Sequence, residues 1–451
     1  MTLRKSHKVT HTVLDATMED RDTPIPETGE STMDLSRTRR AAWAAVGTVA
    51  WVTVLNPLNT SMVAVALPEL RRVFGVSVSA STWLLAAFAG ACALGHPLAG
   101  ILADRLGPRR VVASGLAVVG LSSFAAAYVS SFGLLIALRV SQALGTSTAY
   151  PAGLAVLRAI HARQNPHGPL PPSWLGAIAM STNITAALGP VVAGVFLATL
   201  GWHWIFLVNV PMTMAGAAGV FFFLPAERDF PAGPTIDLRA LAANRPLLSV
   251  YVRFTAVCAV FFSVFFAMPL WLEHERGLSA AAIGFVMLPL ACVSALATPF
   301  AVGTVSHSGI PRTLVIGAAG LLVGAGLLAT VRAQSSTIAI VATVAVLGAP
   351  FAFNNLGLQA EMTNVTAPAQ LGAAAGLFQT ARFGGAAVAG GLVGVAFANG
   401  ATTSGLHWLC AVITSLSVAL FAWAARRAAA SHAQRISMET NDKKREELEH
   451  E

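Results

Sequence analysis

The chain has 451 residues, of which 55% are hydrophobic and 11% charged, with a formal net charge of +8 and a mean hydropathy of +0.66. A soluble protein carries about a quarter charged residues, so this apolar excess has to face lipid rather than fill one buried core. The positive charges lie between apolar stretches instead of on one soluble face, which argues against nucleic acid as a partner and fits the topology signals of a membrane protein.

In chain order, residues 1–40 are polar, contain Pro24 and Pro26, and read as a disordered cytoplasmic tail. They lack the apolar core of a cleavable signal peptide, and Met33 offers a second start close to the first span. Twelve apolar stretches follow, at about 41–67, 80–103, 111–131, 133–157, 174–199, 204–224, 248–272, 280–304, 313–331, 336–360, 371–397 and 406–425. Each reaches the ~20 helical residues that cross a hydrocarbon core. Lipid offers no partner to an open backbone, and the alternation of a barrel strand is absent, so the stretches are expected to be helices. With the N-terminus inside, the cytoplasmic segments hold 22 of the 29 Lys and Arg residues and the external segments four. That bias predicts both termini inside. The fold class expected is an all-α integral membrane protein of twelve transmembrane helices.

The longest internal polar connection, 225–247, divides the stretches six and six. The expected parts are thus a tail over 1–40, an N-terminal bundle over 41–224, a cytoplasmic linker over 225–247, a C-terminal bundle over 248–425 and a charged cytoplasmic tail over 426–451. A weak repeat supports the division: Gly100 followed by Pro108-Arg109 recurs 203 residues later as Gly303 followed by Pro311-Arg312. Two pseudo-symmetric six-helix bundles around a central site form a transporter architecture. Cys92, Cys258, Cys292 and Cys410 all lie in apolar runs without metal-ligand spacing, so neither a metal nor another cofactor is expected. Walker, HExxH and GxSxG motifs are missing, which argues against an enzyme or an ATP-driven pump.

Specific motifs narrow the class. Gly100 to Arg110, GILADRLGPRR, resembles the G-x-x-x-D-R-x-G-x-R-R loop of the major facilitator superfamily. Gly100 permits close helix approach, Gly107 a tight turn, and Asp104 sits where a helix end or an arginine can neutralise it. Arg139 and Gln142, in LRVSQALG, are similar to the superfamily's R-x-x-Q-G element. TAALGPVVAG over 185–194, with Gly189, Pro190 and Gly194, resembles the antiporter motif of drug exporters with two glycines replaced. GWHWIFLVNVP over 201–211 is similar to a run of drug:proton antiporters, with His203 in place of arginine. LNTSMVAVALP over 58–68 and GLFQTAR over 376–382 resemble the same branch. The resemblance implies a major facilitator fold and export of amphipathic drugs in exchange for protons. It further implies a charge relay at Asp104, Arg105 and Arg109 that latches the outward-facing state.

One departure bears on mechanism: Asn59 stands where the branch usually offers a span-one aspartate, and an asparagine does not titrate. The residues remaining for proton coupling or gating are Asp104, His96 and Glu361, with Arg139 modulating. Asn59, Gln142, Tyr150, Asn183, Asn355, Gln359, Gln379 and Arg382 are candidates for the substrate path, although hydrogen bonding between helices is an equal explanation for each uncharged one. Arg382 places fixed positive charge near the centre, which favours neutral or anionic amphipathic substrates over dications. The partners expected are a small molecule, protons and the bilayer, in the plasma membrane, with the chain acting as a monomer. Uptake or facilitated movement of a metabolite is the alternative, with a membrane-embedded sensor further behind.

Overall fold

The computed structural model describes residues 28–163, 165, 168–225, 243–367, 370–398 and 400–449; side chains are described between 39 and 430, apart from residues 78, 79, 82, 280 and 281. The regular structure among them is helical throughout: α1 (Thr28–Thr53), α2 (Leu55–Phe74), α3 (Val78–Leu106), α4 (Pro108–Ala127), α5 (Phe132–Thr146), α6 (Ala149–Ala162) and α7 (Pro172–Thr199). These are followed by α8 (His203–Leu207), α9 (Asn209–Phe223), α10 (Arg245–Arg276), α11 (Ala280–Leu328), α12 (Thr337–Val365), α13 (Leu371–Ala396) and α14 (Thr403–Glu449). The chain divides into Met1–Trp43 and Ala44–Glu451. In the first unit, α1 starts at Thr28, inside the stretch expected to be a disordered tail; residues 1–27 lie outside the described residues. Most of the expected linker, 226–242, also lies outside them. The last helix continues past the expected span through the charged tail to Glu449.

Nine helical segments among the described residues are long and apolar enough to cross a bilayer. One of them, Ala282–Leu328, covers two expected stretches, 280–304 and 313–331, and carries a non-helical Gly309 at φ 81° between them. Helices α5 with α6, and α13, occupy the two remaining expected positions.

Three of the expected continuous stretches are interrupted, each for the same reason. The helical hydrogen-bond ladder is interrupted at Val54, at Ser147–Thr148 and at Val208, where the backbone keeps right-handed helical dihedrals, in each case three or four residues before a proline (Pro57, Pro151, Pro211). Proline has no N–H to offer the carbonyl four residues back, and its ring crowds that carbonyl. At the second break, Ser147 Oγ donates to the Ala143 carbonyl at 2.7 Å and Thr148 Oγ1 to the Gly145 carbonyl at 2.8 Å. Such back-bonding bends helices.

Helix starts follow ordinary capping chemistry. Ser77, Ser279 and Ser336 each accept a hydrogen bond from the backbone N–H three residues on, opening α3, α11 and α12. Asn244 does the same for α10, with Pro246 in its first turn. Between α3 and α4, Gly107 adopts φ 94° and Pro108 begins the next helix, so the turn is a single residue that most side chains would strain. In the first half, Met62, Val63, Leu84, Leu135, Ile205 and Phe206 form a buried apolar cluster. In the second, Phe254 stacks on Phe378 at 3.8 Å.

Candidate functional site: an interhelical gate and three arginines

The turn after α3 places charges on helix ends. The Asp104 carboxylate accepts from Gly372 N–H at 3.2 Å and Ala373 N–H at 2.9 Å. These are open donors of the first turn of α13, whose own N-cap residue, Gln370, contributes no side-chain cap. A carboxylate there also meets the positive end of the helix dipole. Arg109 does the complementary thing at a C-terminus: its Nη2 donates to the Phe221 carbonyl of α9 at 2.9 Å. Arg105 is exposed.

The approach of α3 to α13 depends on missing side chains. A Cβ at Gly100 would collide with the Gly372 and Ala373 backbone, and one at Gly376 with the His96 carbonyl. Thr380 Oγ1 donates across the same seam to the Ala93 carbonyl at 2.9 Å. Two further crossings join the first six expected spans to the last six: Gln359 of α12 donates to the Tyr150 hydroxyl of α6, and Asn183 of α7 donates to Ser294 Oγ of α11 at 3.3 Å. Among the described residues, the hydrogen bonds between the two sets fall between the Asp104 end and about the middle of the expected spans.

Asn59, Gln142 and Arg139 form a buried network. Arg139 is 0% exposed; its Nη1 donates to Gln142 Oε1 at 2.9 Å and to Asn59 Oδ1 at 3.5 Å. Its guanidinium lies 4.1 Å from the centre of the Phe88 ring, and its Nε and Nη2 have no hydrogen-bond partner. Asn59 and Asn209 exchange two amide hydrogen bonds of 3.0 Å, and Gln142 donates to Ser123 Oγ at 2.7 Å. Asn209 and Ser123 belong to the network as much as the sequence-derived candidates do. Asn209 was within reach, because it is the asparagine of the 201–211 run, whereas nothing local distinguishes Ser123.

Glu361 is bridged by Arg253, whose Nη1 and Nη2 each donate at 2.9 Å, and it also pairs with Arg427. Both guanidinium groups lie over Trp423, at 3.7 Å and 5.1 Å from the ring centre. The cluster ties α10, α12 and α14 together. His96 is likewise packed rather than open: Nδ1 donates to the Cys92 carbonyl at 2.6 Å and the ring lies 5.4 Å from Phe383.

The other candidates separate by burial. Tyr150, Asn183, Asn355 and Gln359 are buried, and three of these four are engaged in the crossings above. Gln379 and Arg382, three residues apart on α13, are half-buried. Gly189 and Pro190 lie in α7, but the small surface at Gly189 receives Ser61 of α2, within the same half, not the opposite one. A side chain at Gly194 would meet nothing within 4 Å. Contact from α7 to the second half runs instead through Gly176, which admits Val302 of α11, and Asn183.

Comparison with known proteins supplies the family. The family model for the Major Facilitator Superfamily matches residues 49–390, more than half of the chain, and the chain belongs to that superfamily. It is similar to the MFS-type transporter YwoD of Bacillus subtilis (strain 168), 28% identical over 429 residues, covering 82% of this chain and 93% of that one. Over 180 residues it is 29% identical to MdtD of Cronobacter sakazakii (strain ATCC BAA-894), which carries the provisional name of a multidrug resistance protein; the match covers 39% of this chain and 36% of MdtD. The crystal structure of the human organic anion transporter MFSD10 (TETRAN) superposes with a TM-score of 0.69 at 16% identity, covering 85% of this chain and 99% of that one, a likeness of fold.

Proposed function

We propose that this member of the superfamily exports small amphipathic organic compounds in exchange for protons, by alternating access, as a monomer with both termini in the cytoplasm. The observation that carries the reading is the one-sidedness of the crossings between the expected halves. Among the described residues, the two sets of helices are hydrogen-bonded toward the Asp104 end, and toward the other end they meet through apolar packing such as Phe383 against the Phe88–Cys92 cluster, which can part without breaking a hydrogen bond. With the Lys and Arg bias placing Asp104 on the cytoplasmic side, this is an outward-facing arrangement, and opening inward requires Asp104 to leave the α13 amides. The motifs of 185–194 and 201–211 and the name of MdtD support drug export as the direction and cargo.

The test is substrate-induced proton movement in proteoliposomes, repeated with Asp104→Asn and His96→Ala. Gradient-dependent flux that either substitution abolishes supports antiport; flux unchanged after the gradient is collapsed rejects it. One observation favours gradient-independent movement of a metabolite as a second reading. Asn59 and Arg139 meet without a carboxylate, so the span-one site holds no group that exchanges a proton.

A further inference from the structure

Arg382 is the point from which the cargo's charge can be read, and the argument starts from the faces of α13. Gly372, Gly376 and Thr380 seat against α3, while Phe378 and Gly385 seat against Phe254 and Cys258 of α10. At about 100° per residue, Gln379 and Ala386 fall within about 60° of Arg382. Val388 and Val395, 49% and 66% exposed, point about 120° and 140° away. The valines therefore mark the lipid side, and the arc between the α3 and α10 contacts carries Arg382 toward the interior. Its partial exposure lies on that inner face.

The guanidinium there has no hydrogen bond or ion pair among the described residues; an aromatic ring, Phe351 of α12, lies 5.8 Å from it, and His96, Tyr150 and Cys258 lie within reach of its charge. Phe351 stacks at 4.0 Å on Phe261 of α10, which is half-buried. The carboxylates that could neutralise Arg382 are committed elsewhere: Asp104 to the α13 amides and Glu361 to Arg253 and Arg427. A cation held away from lipid, uncompensated and set beside an aromatic surface, gains most from an anion that brings its own apolar body. A cationic cargo would instead be desolvated against like charge.

Resting on the transport reading above, we infer that Arg382, with Gln379 one turn before it and the half-buried Phe261 as an aromatic wall backed by the fully buried Phe351, forms a subsite for amphipathic aromatic monoanions. A carboxylate or sulfonate sits on the guanidinium fork, and its ring lies against Phe261. Arg382 is thus a specificity-determining residue that selects cargo by sign of charge.

The test is equilibrium dialysis of the detergent-purified protein against a matched series: naphthalene-2-sulfonate, the neutral naphthalene-2-sulfonamide and a naphthyl-trimethylammonium cation, with protein-free micelles subtracted. Wild type is expected to bind the anion at least tenfold more tightly than either relative. Arg382→Gln should bring the anion level with the sulfonamide, while Arg382→Lys, which keeps the charge and controls for folding, retains a several-fold preference. A wild type without anion preference, or an Arg382→Gln protein that keeps it, overturns the inference. Either result leaves gradient-driven flux intact as a separate measurement, whereas loss of gradient dependence with anion preference retained would overturn the antiport reading alone.

Discussion

Arg139 and Arg253 are both buried arginines on helices expected to span the bilayer, 0% and 6% exposed, yet their charges are met in opposite ways. Arg253 has a bidentate carboxylate, Glu361, a second arginine on the same carboxylate and a tryptophan under its face. Arg139 has two side-chain amide oxygens and a phenylalanine ring, with two of its three nitrogens unpartnered. A charged side chain in mid-membrane costs about 2.5–3.5 kcal/mol on insertion scales and persists where a partner or a function retains it. The Arg253 cluster has its partner and reads as a brace for one end of the second half. Arg139 has no carboxylate partner among the described residues, and beside Asn59 it stays a candidate site rather than a brace.

The comparison can be broken by experiment, beginning with the largest expected effect. Glu361→Ala leaves Arg253 and Arg427 facing each other without a carboxylate and should destabilise the protein by about 3–5 kcal/mol, measured as thermal unfolding in detergent. Arg139→Leu orphans no charge, only the Gln142 oxygen, since Asn59 Oδ1 keeps its bond from Asn209, so it should cost at most about 2 kcal/mol. Equal losses in the two variants would erase the distinction between brace and site. Asp104→Asn weakens the charge at the α13 N-terminus by about 1 kcal/mol. The expected readout is faster alkylation of a cysteine placed at the buried Ser294 in a protein stripped of its own cysteines. Labelling that stays at the wild-type rate would show that the crossings at this end hold without Asp104. The smallest shift belongs to Asn59→Asp, which gives Arg139 a carboxylate; a gain of about 1 kcal/mol is expected, with the sharper sign a pH profile of transport displaced from that of the Asn59 protein.

The expected spans were legible because lipid imposes a length and an apolar composition on any helix that crosses it, and the helices found follow the expected segments in order. The breaks before Pro57, Pro151 and Pro211 were not anticipated, although their cause is local and printed in the sequence. The Asp104 loop was readable as charges seeking a helix end or an arginine; which end it found, 268 residues away at Gly372, was not. Glu361 was legible as an acid near membrane depth, but its partners Arg253 and Arg427, distant in sequence, were not.

Composition and hydrophobic length thus determined by themselves that this is a helical membrane protein, because solvation by lipid acts on each segment independently of its neighbours; the major facilitator kind entered through the resemblance of its short motifs. Tertiary structure alone decided which charges are neutralised and which are left to act. An ion pair depends on positions brought within about 4 Å by packing, and no pattern along the chain encodes that distance.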